Sequence, residues 1–214
     1  MIQNNTEKKR TRPLRIAMFG GTYDPIHWGH MRLCKMYADR LELDKVYVVP
    51  TKTPPHKASS ITPEEHRLEM CRLALEELDE RFIASDIELR RDATSYSFYT
   101  VCALREMHPD CRFFLLCGAD MFVTLENWHR FDELKELVTF CTVQRDDIDT
   151  TDLYEHAARL EDMGCSCFVT EFEPVSLSST MIRRKVAAGE SISGIVPELV
   201  EKYILENGLY RSEV

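Results

Sequence analysis

The chain contains 214 residues, of which 44% are hydrophobic and 29% are charged. This composition is typical of a globular protein with a sizeable core, and no apolar run is long enough to span a membrane. The net charge of −9 disfavours a general affinity for nucleic acid, so we expect any phosphate ligand to be held by local positive groups.

The first 13 residues are polar and include several basic side chains. Because no apolar segment follows, they predict a mobile tail rather than a signal peptide, ahead of a single domain over residues 14–214. A basic arm for nucleic acid is the weaker alternative. The eight cysteines form no CxxC pair, which predicts reduced, mostly buried thiols in a cytoplasmic protein. We find no metal-ligand set in the sequence.

Strand-like and helix-like patterns alternate along the chain. Short apolar runs predict strands at Leu14–Phe19, Val46–Val49, Phe82–Leu89, Cys111–Cys117, Val138–Val143 and Cys165–Thr170. Helical patterns occur at Gly29–Leu43, from Thr62 onward, at Ser97–Met107, 119–137, 151–163, Ser178–Ala188 and Pro197–Glu206. Thr62 is predicted to be an N-cap in a capping box with Glu65, and Gly189 is predicted to follow a helix end.

This alternation predicts a Rossmann-like α/β fold: a doubly wound, mainly parallel sheet with helices on both faces, in one domain. In such sheets ligands bind beyond the carboxyl ends of the strands. The loops that follow the first, second, fourth and sixth strands are therefore the places to look for a site.

The segment GGTYDPIHWGH, directly after the first predicted strand, is the most informative. Gly20 and Gly21 allow a sharp turn and a close approach to a ligand, with Thr22 next to them. The following helix points its first amides at the same place, where His27 and His30 can both donate to phosphate oxygens. The segment matches neither a Walker loop nor GxGxxG. The alternative is an ordinary strand-to-helix turn with incidental histidines.

A second segment, SSTMIR, opens a late helix. Ser179, Thr180 and the free amides of the helix start form a candidate anion site. Arg183 lies one turn further on and can reach a phosphate with its fork of donors. The alternative is an ordinary helix cap with a surface arginine.

Two further loops carry candidate residues. After the second strand, PPHK supplies His56 and Lys57, unless this is only a solvated basic loop. After the fourth strand, Gly118 precedes Asp120, which could accept hydrogen bonds from ribose hydroxyls. Trp128 could stack on an aromatic ring or could instead anchor the core.

These segments resemble the HxGH nucleotidyltransferase superfamily, which has G-[ST]-[FY]-D-P-[IV]-H-x-G-H after its first strand and SST-x-[IL]-R near its end. Class I aminoacyl-tRNA synthetases have a related segment, but the length and the lack of a KMSKS-like segment argue against that group. PPHK, GAD, the tryptophan and the stretch from Pro197 to Tyr210 are similar to the bacterial nicotinate-nucleotide adenylyltransferases. The resemblance covers about residues 14–211.

The resemblance implies transfer of the adenylyl group of ATP to nicotinate mononucleotide in NAD biosynthesis, giving deamido-NAD and pyrophosphate. It implies Mg²⁺ bound mainly through the ATP phosphates, and no nucleic-acid or membrane partner; the oligomeric state, a homodimer included, stays open. The implied catalytic residues are His27, His30 and Arg183. The implied ATP- and phosphate-binding residues are Gly20, Gly21, Thr22, His56, Lys57, Gly118, Asp120, Ser179 and Thr180. The implied acceptor-binding residues are Trp128 and Thr94.

The chain departs from the family pattern in two places. The residue after the tryptophan is His129 instead of another aromatic, and Arg145 is followed by two aspartates instead of a Pro-Gly turn. Three alternatives remain at this stage. The acceptor could be another phosphate, such as phosphopantetheine or a cytidylyltransferase substrate; the protein could bind nucleotides without turnover; or it could bind nucleic acid.

Overall fold

The computed structural model describes residues 12–52, 62–92, 94–144, 150–171 and 177–211. Within these residues one parallel six-stranded sheet has the order β3-β2-β1-β4-β5-β6. The strands are β1 (Arg15–Gly21), β2 (Lys45–Pro50), β3 (Phe82–Ala84), β4 (Arg112–Leu116), β5 (Thr139–Gln144) and β6 (Ser166–Glu171). The chain runs outward from β1 to one edge and from β4 to the other, so the predicted doubly wound, Rossmann-like fold is confirmed.

Helices cover both faces of this sheet. They are α1 (Trp28–Arg40), α2 (Glu64–Leu75), α3 (Ser97–Met107), α4 (Ala119–Phe122), α5 (Phe131–Leu134), α6 (Thr150–Asp162), α7 (Ser179–Ala187) and α8 (Glu198–Glu206). Alternate residues of β1 enter two separate cores, as the two-residue period of a strand requires. Ala17 and Phe19 pack with α1, α2, α7 and α8, whereas Ile16 and Met18 pack with α3 to α6. The sheet is thus buried on both faces, and its strand ends carry the accessible loops.

The third strand is shorter than predicted, because it ends at Ala84 instead of Leu89. After it the chain turns, with the Arg90 amide donating to the Asp86 carbonyl. The turn brings Glu88 inward, where its carboxylate accepts a hydrogen bond from the Thr100 hydroxyl of α3 at 2.8 Å. A buried polar contact therefore overrides the apolar alternation that predicted a longer strand.

The helical region 119–137 is divided into three pieces: α4, a 3₁₀ turn at Leu125–Asn127, and α5. The break before α5 contains Arg130, whose φ of 57° is left-handed. A right-handed helix cannot continue through such a residue, so the chain changes direction directly after Trp128.

Two predicted helix ends have different outcomes. The capping box with Thr62 as N-cap is wrong: α2 begins at Glu64 after Pro63, without a side-chain cap. The Thr62 carbonyl instead accepts a hydrogen bond from Arg67 Nε at 3.1 Å. Gly189 follows α7 as predicted, with φ 70°, and the Glu190 amide closes the helix end on the Lys185 carbonyl.

The eight cysteines are all unpaired thiols, and six of them are buried. Burial raises the pKa of Cys34, Cys71 and Cys117, so these thiols stay protonated at neutral pH. No helix in the described part of the chain is long and apolar enough to cross a bilayer. Of the predicted N-terminal tail, residues 1–11 lie outside the described residues, and Arg12 pairs with Asp44 at 2.8 Å.

Candidate active site

The loop that leaves β1 at the carboxyl edge of the sheet is folded tightly onto the strand. Tyr23 has a φ of 52°, and its buried hydroxyl donates to the Phe19 carbonyl at 2.8 Å. A Cβ atom at Gly21 would lie only 2.8 Å from Cζ of Tyr23. Gly21 is therefore required by the packing of this loop, in addition to the close ligand approach that the sequence predicts.

His27 and His30 together cap the first turn of α1. His27 is the N-cap, and its Nδ1 accepts from the Gly29 amide at 3.1 Å. In return, Nδ1 of His30 accepts from the His27 amide at 3.3 Å. A ring nitrogen that accepts carries no proton, so on both rings the proton is assigned to Nε2. The capping box thus makes both histidines Nε2–H donors, with ring centroids 3.8 Å apart.

Gly29 has no side chain and so leaves space for the His27 ring. A Cβ atom at Gly29 would lie 2.9 Å from Cε1 and 3.0 Å from Nδ1 of His27. The His27 imidazole occupies the space that a side chain would need. Gly29 is therefore a packing requirement of the histidine pair itself.

The start of α7 docks onto the same loop from a distant part of the sequence. The Ser179 hydroxyl donates to the Pro25 carbonyl at 2.8 Å, across 154 positions of the chain. Arg183 donates through Nη1 to the Asp24 carbonyl at 2.7 Å and through Nη2 to the Thr180 hydroxyl at 3.3 Å. A guanidinium has five N–H donors, so these two bonds do not exhaust Arg183. The structure brings together the two segments that the sequence proposes as the phosphate site.

Gly118 and Asp120 lie beside this loop at the point where the chain direction of the sheet reverses. β1 and β4 are hydrogen-bonded neighbours with Phe19 opposite Leu116. Gly20 is the second-last residue of β1, and Gly118 follows the end of β4, so both lie at the carboxyl edge of the sheet. Gly118 is the N-cap of α4, and a Cβ atom there would lie 2.6 Å from the Asp120 carboxylate. The exposed Asp120 is thus folded back over Gly118 at the switch point, where ligands of such sheets bind.

A second cluster joins the start of α3 to the loop after the 3₁₀ turn. The His129 ring stacks on Tyr96 at 4.3 Å, and its Nε2 lies 3.1 Å from the Tyr99 hydroxyl. The Tyr96 amide donates to the Thr94 carbonyl at 2.9 Å. These contacts bring the segment of Trp128 and the segment of Thr94 next to each other, although neither motif predicts their proximity.

Trp128 is half-buried and packs against the core on the α3–α6 side of the sheet. Its indole nitrogen is buried and has no hydrogen-bond partner within the described residues. The side chain therefore contributes to the core at least in part, and its stacking on a ligand ring stays a prediction. His56, Lys57 and Arg145 lie outside the described residues.

Sequence reasoning missed three residues that support the loop. Arg67 of α2 is almost completely buried and donates through Nη1 to the Thr22 carbonyl at 2.7 Å. The Tyr210 hydroxyl donates to the buried Asp24 carboxylate at 2.7 Å. A signal for Arg67 was present, because it continues the helical spacing of Met70, which is buried on the same helix.

Comparisons with known proteins identify the family of this chain. The profile of the cytidylyltransferase-like family matches residues 18–185. A Geobacillus thermodenitrificans protein named "Probable nicotinate-nucleotide adenylyltransferase" is 40% identical over 197 residues, which are 92% of this chain and 86% of that protein. An Enterococcus faecalis protein of the same name is 34% identical over 218 residues, covering 100% of this chain and 92% of that protein.

A solved structure has the same fold at much lower sequence identity. It is Plasmodium falciparum nicotinic acid mononucleotide adenylyltransferase complexed with NaAD, with a TM-score of 0.75 and 17% identity over 94% of this chain and 98% of that one. The family match covers most of the chain, and the relatives align over nearly all of it. The chain therefore belongs to the cytidylyltransferase-like family, among the nicotinate-nucleotide adenylyltransferases.

Proposed function

We propose that this protein transfers the adenylyl group of ATP to nicotinate mononucleotide in the cytoplasm, as a step of NAD biosynthesis. Family membership and the names of the relatives support this reaction. The structural observation that carries it is the pair of imidazoles at the start of α1. Both are held as Nε2–H donors beside the start of α7.

The reaction needs no protein nucleophile. An oxygen of the mononucleotide 5′-phosphate, already anionic, attacks the α-phosphorus of ATP. A new P–O bond forms while the bond from the α-phosphorus to the bridging oxygen breaks, and the electron pair leaves with pyrophosphate. Catalysis therefore consists of positioning two anions and stabilising the charge that moves between them.

The two histidines are suited to that charge. In this proposal, the Nε2–H groups of His27 and His30 donate to the α-phosphate and to the departing pyrophosphate. Thr180, Arg183 and the first amides of α7, beginning at Ser179, hold the β- and γ-phosphates. The Ser179 hydroxyl is already bonded to the Pro25 carbonyl and acts as a support of the loop.

The remaining assignments follow the same arrangement. Gly20, Gly21 and Thr22 line the turn against the nucleotide, while Gly118 and Asp120 at the switch point receive the ribose. His56 and Lys57 bring positive charge between the two substrates. Mg²⁺ supplies charge neutralisation on the triphosphate when it is bound. We propose that this ion binds mainly through the ATP phosphates. Among the described residues no group of three or more His, Cys, Asp or Glu side chains could hold a metal.

The acceptor would bind at the cluster of Trp128 and Thr94. The acid form of the pyridine ring differs from the amide form by a full negative charge. Main-chain amides at the start of a helix such as α3 favour the acid. We therefore expect a higher kcat/KM for nicotinate mononucleotide than for nicotinamide mononucleotide.

Pyrophosphate release tests the proposal directly. Purified protein is assayed with ATP or CTP and with nicotinate mononucleotide, nicotinamide mononucleotide or phosphopantetheine. We expect ATP with nicotinate mononucleotide to be the fastest pair. The His108→Ala variant, whose altered histidine lies near the amino end of β4, should keep this activity. Turnover with phosphopantetheine or CTP alone would reassign the acceptor or donor, and no turnover with any pair would refute the proposal. For assembly, a homodimer is the form to test, by sedimentation of the same preparation.

A further inference from the structure

Asp24, three residues before His27, is held at two points. Its buried carboxylate accepts a hydrogen bond from the Tyr210 hydroxyl at 2.7 Å. Its main-chain carbonyl accepts from Arg183 Nη1 at 2.7 Å. Burial and the adjacent Asp24 raise the pKa of Tyr210, so its hydroxyl remains a neutral donor at any physiological pH. Both the side chain and the backbone of this loop residue are therefore fixed from the C-terminal part of the chain.

Arg67 holds the same loop from α2. Its guanidinium is buried and donates through Nη1 to the Thr22 carbonyl at 2.7 Å and through Nε to the Thr62 carbonyl at 3.1 Å. Burial lowers the pKa of Arg67, and the negative charge of Asp24 opposes this effect. A buried guanidinium requires such compensation, because an uncompensated charge in the interior is strongly destabilising. Arg67 and Asp24 are thus coupled through charge as well as through the loop.

The loop held in this way is strained. Tyr23, which lies in this loop, has a φ of 52°, in the left-handed region that bulky residues rarely adopt. Such conformations persist where surrounding contacts over-determine them. The contacts here converge on residues 22–25, directly before the capping box of His27 and His30.

We propose that Arg67 and Tyr210 are positioning residues, which fix Thr22 and Asp24 and thereby place the Nε2–H groups of His27 and His30 for the phosphates. The inference rests on the proposed function for its effect on turnover. Neither residue needs to touch a substrate. Each of them donates one hydrogen bond to the loop itself, Arg67 to the Thr22 carbonyl and Tyr210 to the Asp24 carboxylate.

The test compares two hydroxyl deletions in the C-terminal part of the chain. Tyr210→Phe removes the bond to Asp24. Tyr203→Phe is the matched control, because it removes a hydroxyl of α8 that bonds His66 at 2.8 Å outside the loop. With ATP and nicotinate mononucleotide, we expect Tyr210→Phe to lower kcat about 3- to 30-fold, with a smaller change in KM for ATP. Tyr203→Phe should keep kcat within about 2-fold, as expected for a bond remote from the site.

Arg67 provides a second, graded test. Lysine can replace one of the two bonds that Arg67 donates to the carbonyls of Thr22 and Thr62, whereas methionine can replace neither. Arg67→Lys should therefore retain more of the wild-type kcat than Arg67→Met. Both are assayed below their melting temperatures, so that a loss of fold is not read as a loss of positioning. Equal kcat in the two variants, with both folded, would overturn the role of Arg67.

A readout independent of turnover separates this inference from the proposed function. NMR signals of the His27 and His30 rings in ligand-free protein report directly on their surroundings. We expect these signals to shift in Tyr210→Phe and to stay unchanged in Tyr203→Phe. If wild type shows no pyrophosphate release, the proposed function fails, and the ring signals alone decide the positioning. Identical ring signals in both variants, or a lower melting temperature for Tyr210→Phe with unchanged kcat, would refute the inference.

Discussion

The proposed phosphate side and the proposed acceptor side of this site are built in different ways. On the phosphate side, donors such as Arg183, Arg67 and Ser179 are directed at main-chain carbonyls of the loop before α1. On the acceptor side, contacts are mainly between side chains, such as the stacking of the exposed His129 on Tyr96. Hydrogen bonds to main-chain carbonyls fix the conformation of the loop whatever side chains its residues carry. Stacking between rings, in contrast, changes when one of the aromatic side chains is replaced. We therefore expect the phosphate side to control the rate and the acceptor side to control the choice of substrate.

The histidine pair should show the largest effect. Removing one donor that stabilises moving charge typically costs about 10²–10³ in kcat. We expect His27→Ala and His30→Ala to lose this much, while affinity for ATP falls much less. The double variant should lose less than the product of the two, because both rings share one capping box and one phosphate chain. Measuring kcat and ATP affinity for wild type, both single variants and the double variant checks this. A near-wild-type kcat in the single variants would show that the segment of His27 and His30 has only a structural role.

Gly29→Ala tests whether the pair depends on its spacing. The new Cβ atom would lie 2.9 Å from the His27 ring and would displace it. Because a small misplacement near the reacting groups costs up to about 10²-fold, we expect kcat to fall about 10- to 100-fold. Gly189→Ala is the control, since its φ of 70° is strained for alanine but nothing lies within 4 Å. It should lower the melting temperature and keep kcat; the opposite ranking of the two variants in kcat would contradict the packing argument.

Trp128→Ala tests the acceptor side. If the indole stacks on the pyridine ring, KM for nicotinate mononucleotide should rise about 2- to 13-fold, the equivalent of an aromatic pair. KM for ATP, measured in the same assay, serves as the internal control and should change little. A lower melting temperature with both KM values unchanged would show that Trp128 acts only through its packing on the core.

The smallest expected effect is a pH-dependent change in melting temperature when Glu88 is replaced. Burial raises the pKa of its carboxyl, so the folded protein binds this proton more tightly than the unfolded chain does. Its contribution to stability is therefore fully present below the ordinary glutamate pKa of about 4.3 and is lost as pH rises through the folded value. Relative to wild type, Glu88→Gln should gain in melting temperature as pH increases across this window. Glu77→Gln, at an exposed position, is the control for the loss of one negative charge. A difference in melting temperature that does not change with pH for Glu88→Gln would show that burial does not control its proton.

The predictable parts of the molecule were those encoded by neighbouring residues. The sheet followed from apolar runs, and the turn before α1 followed from its two glycines and two histidines. The predicted length of β3 was wrong, because Glu88 accepts a hydrogen bond from Thr100 of α3 and no local sequence pattern indicates that contact. The breaks around Trp128 depend on one left-handed residue, Arg130, whose conformation side-chain type alone does not indicate.

The support of the phosphate loop was also beyond local reasoning. Tyr210 and Asp24 are 186 positions apart, and their contact exists only because α8 returns to the sheet. Arg67 was not identified from the sequence, because charged side chains are rarely buried, although its helical spacing places it with the buried residues of α2. The sequence thus identified the residues of the loop that we propose as the phosphate site, but it did not identify the distant residues that hold this loop in place.

The loop of residues 22–25 is held by residues of the last described segment, 177–211, and this has a consequence for synthesis of the chain. A ribosome delivers β1 and the histidine pair first, whereas Ser179, Arg183 and Tyr210 emerge at least 154 residues after the loop residues that they bind. Until then, the loop lacks the partners that hold residues 24 and 25. A prematurely terminated product would carry the complete HxGH segment and most of the sheet, yet its phosphate loop would be unsupported. The order of translation therefore delays the assembly of this site until almost the whole domain has been made.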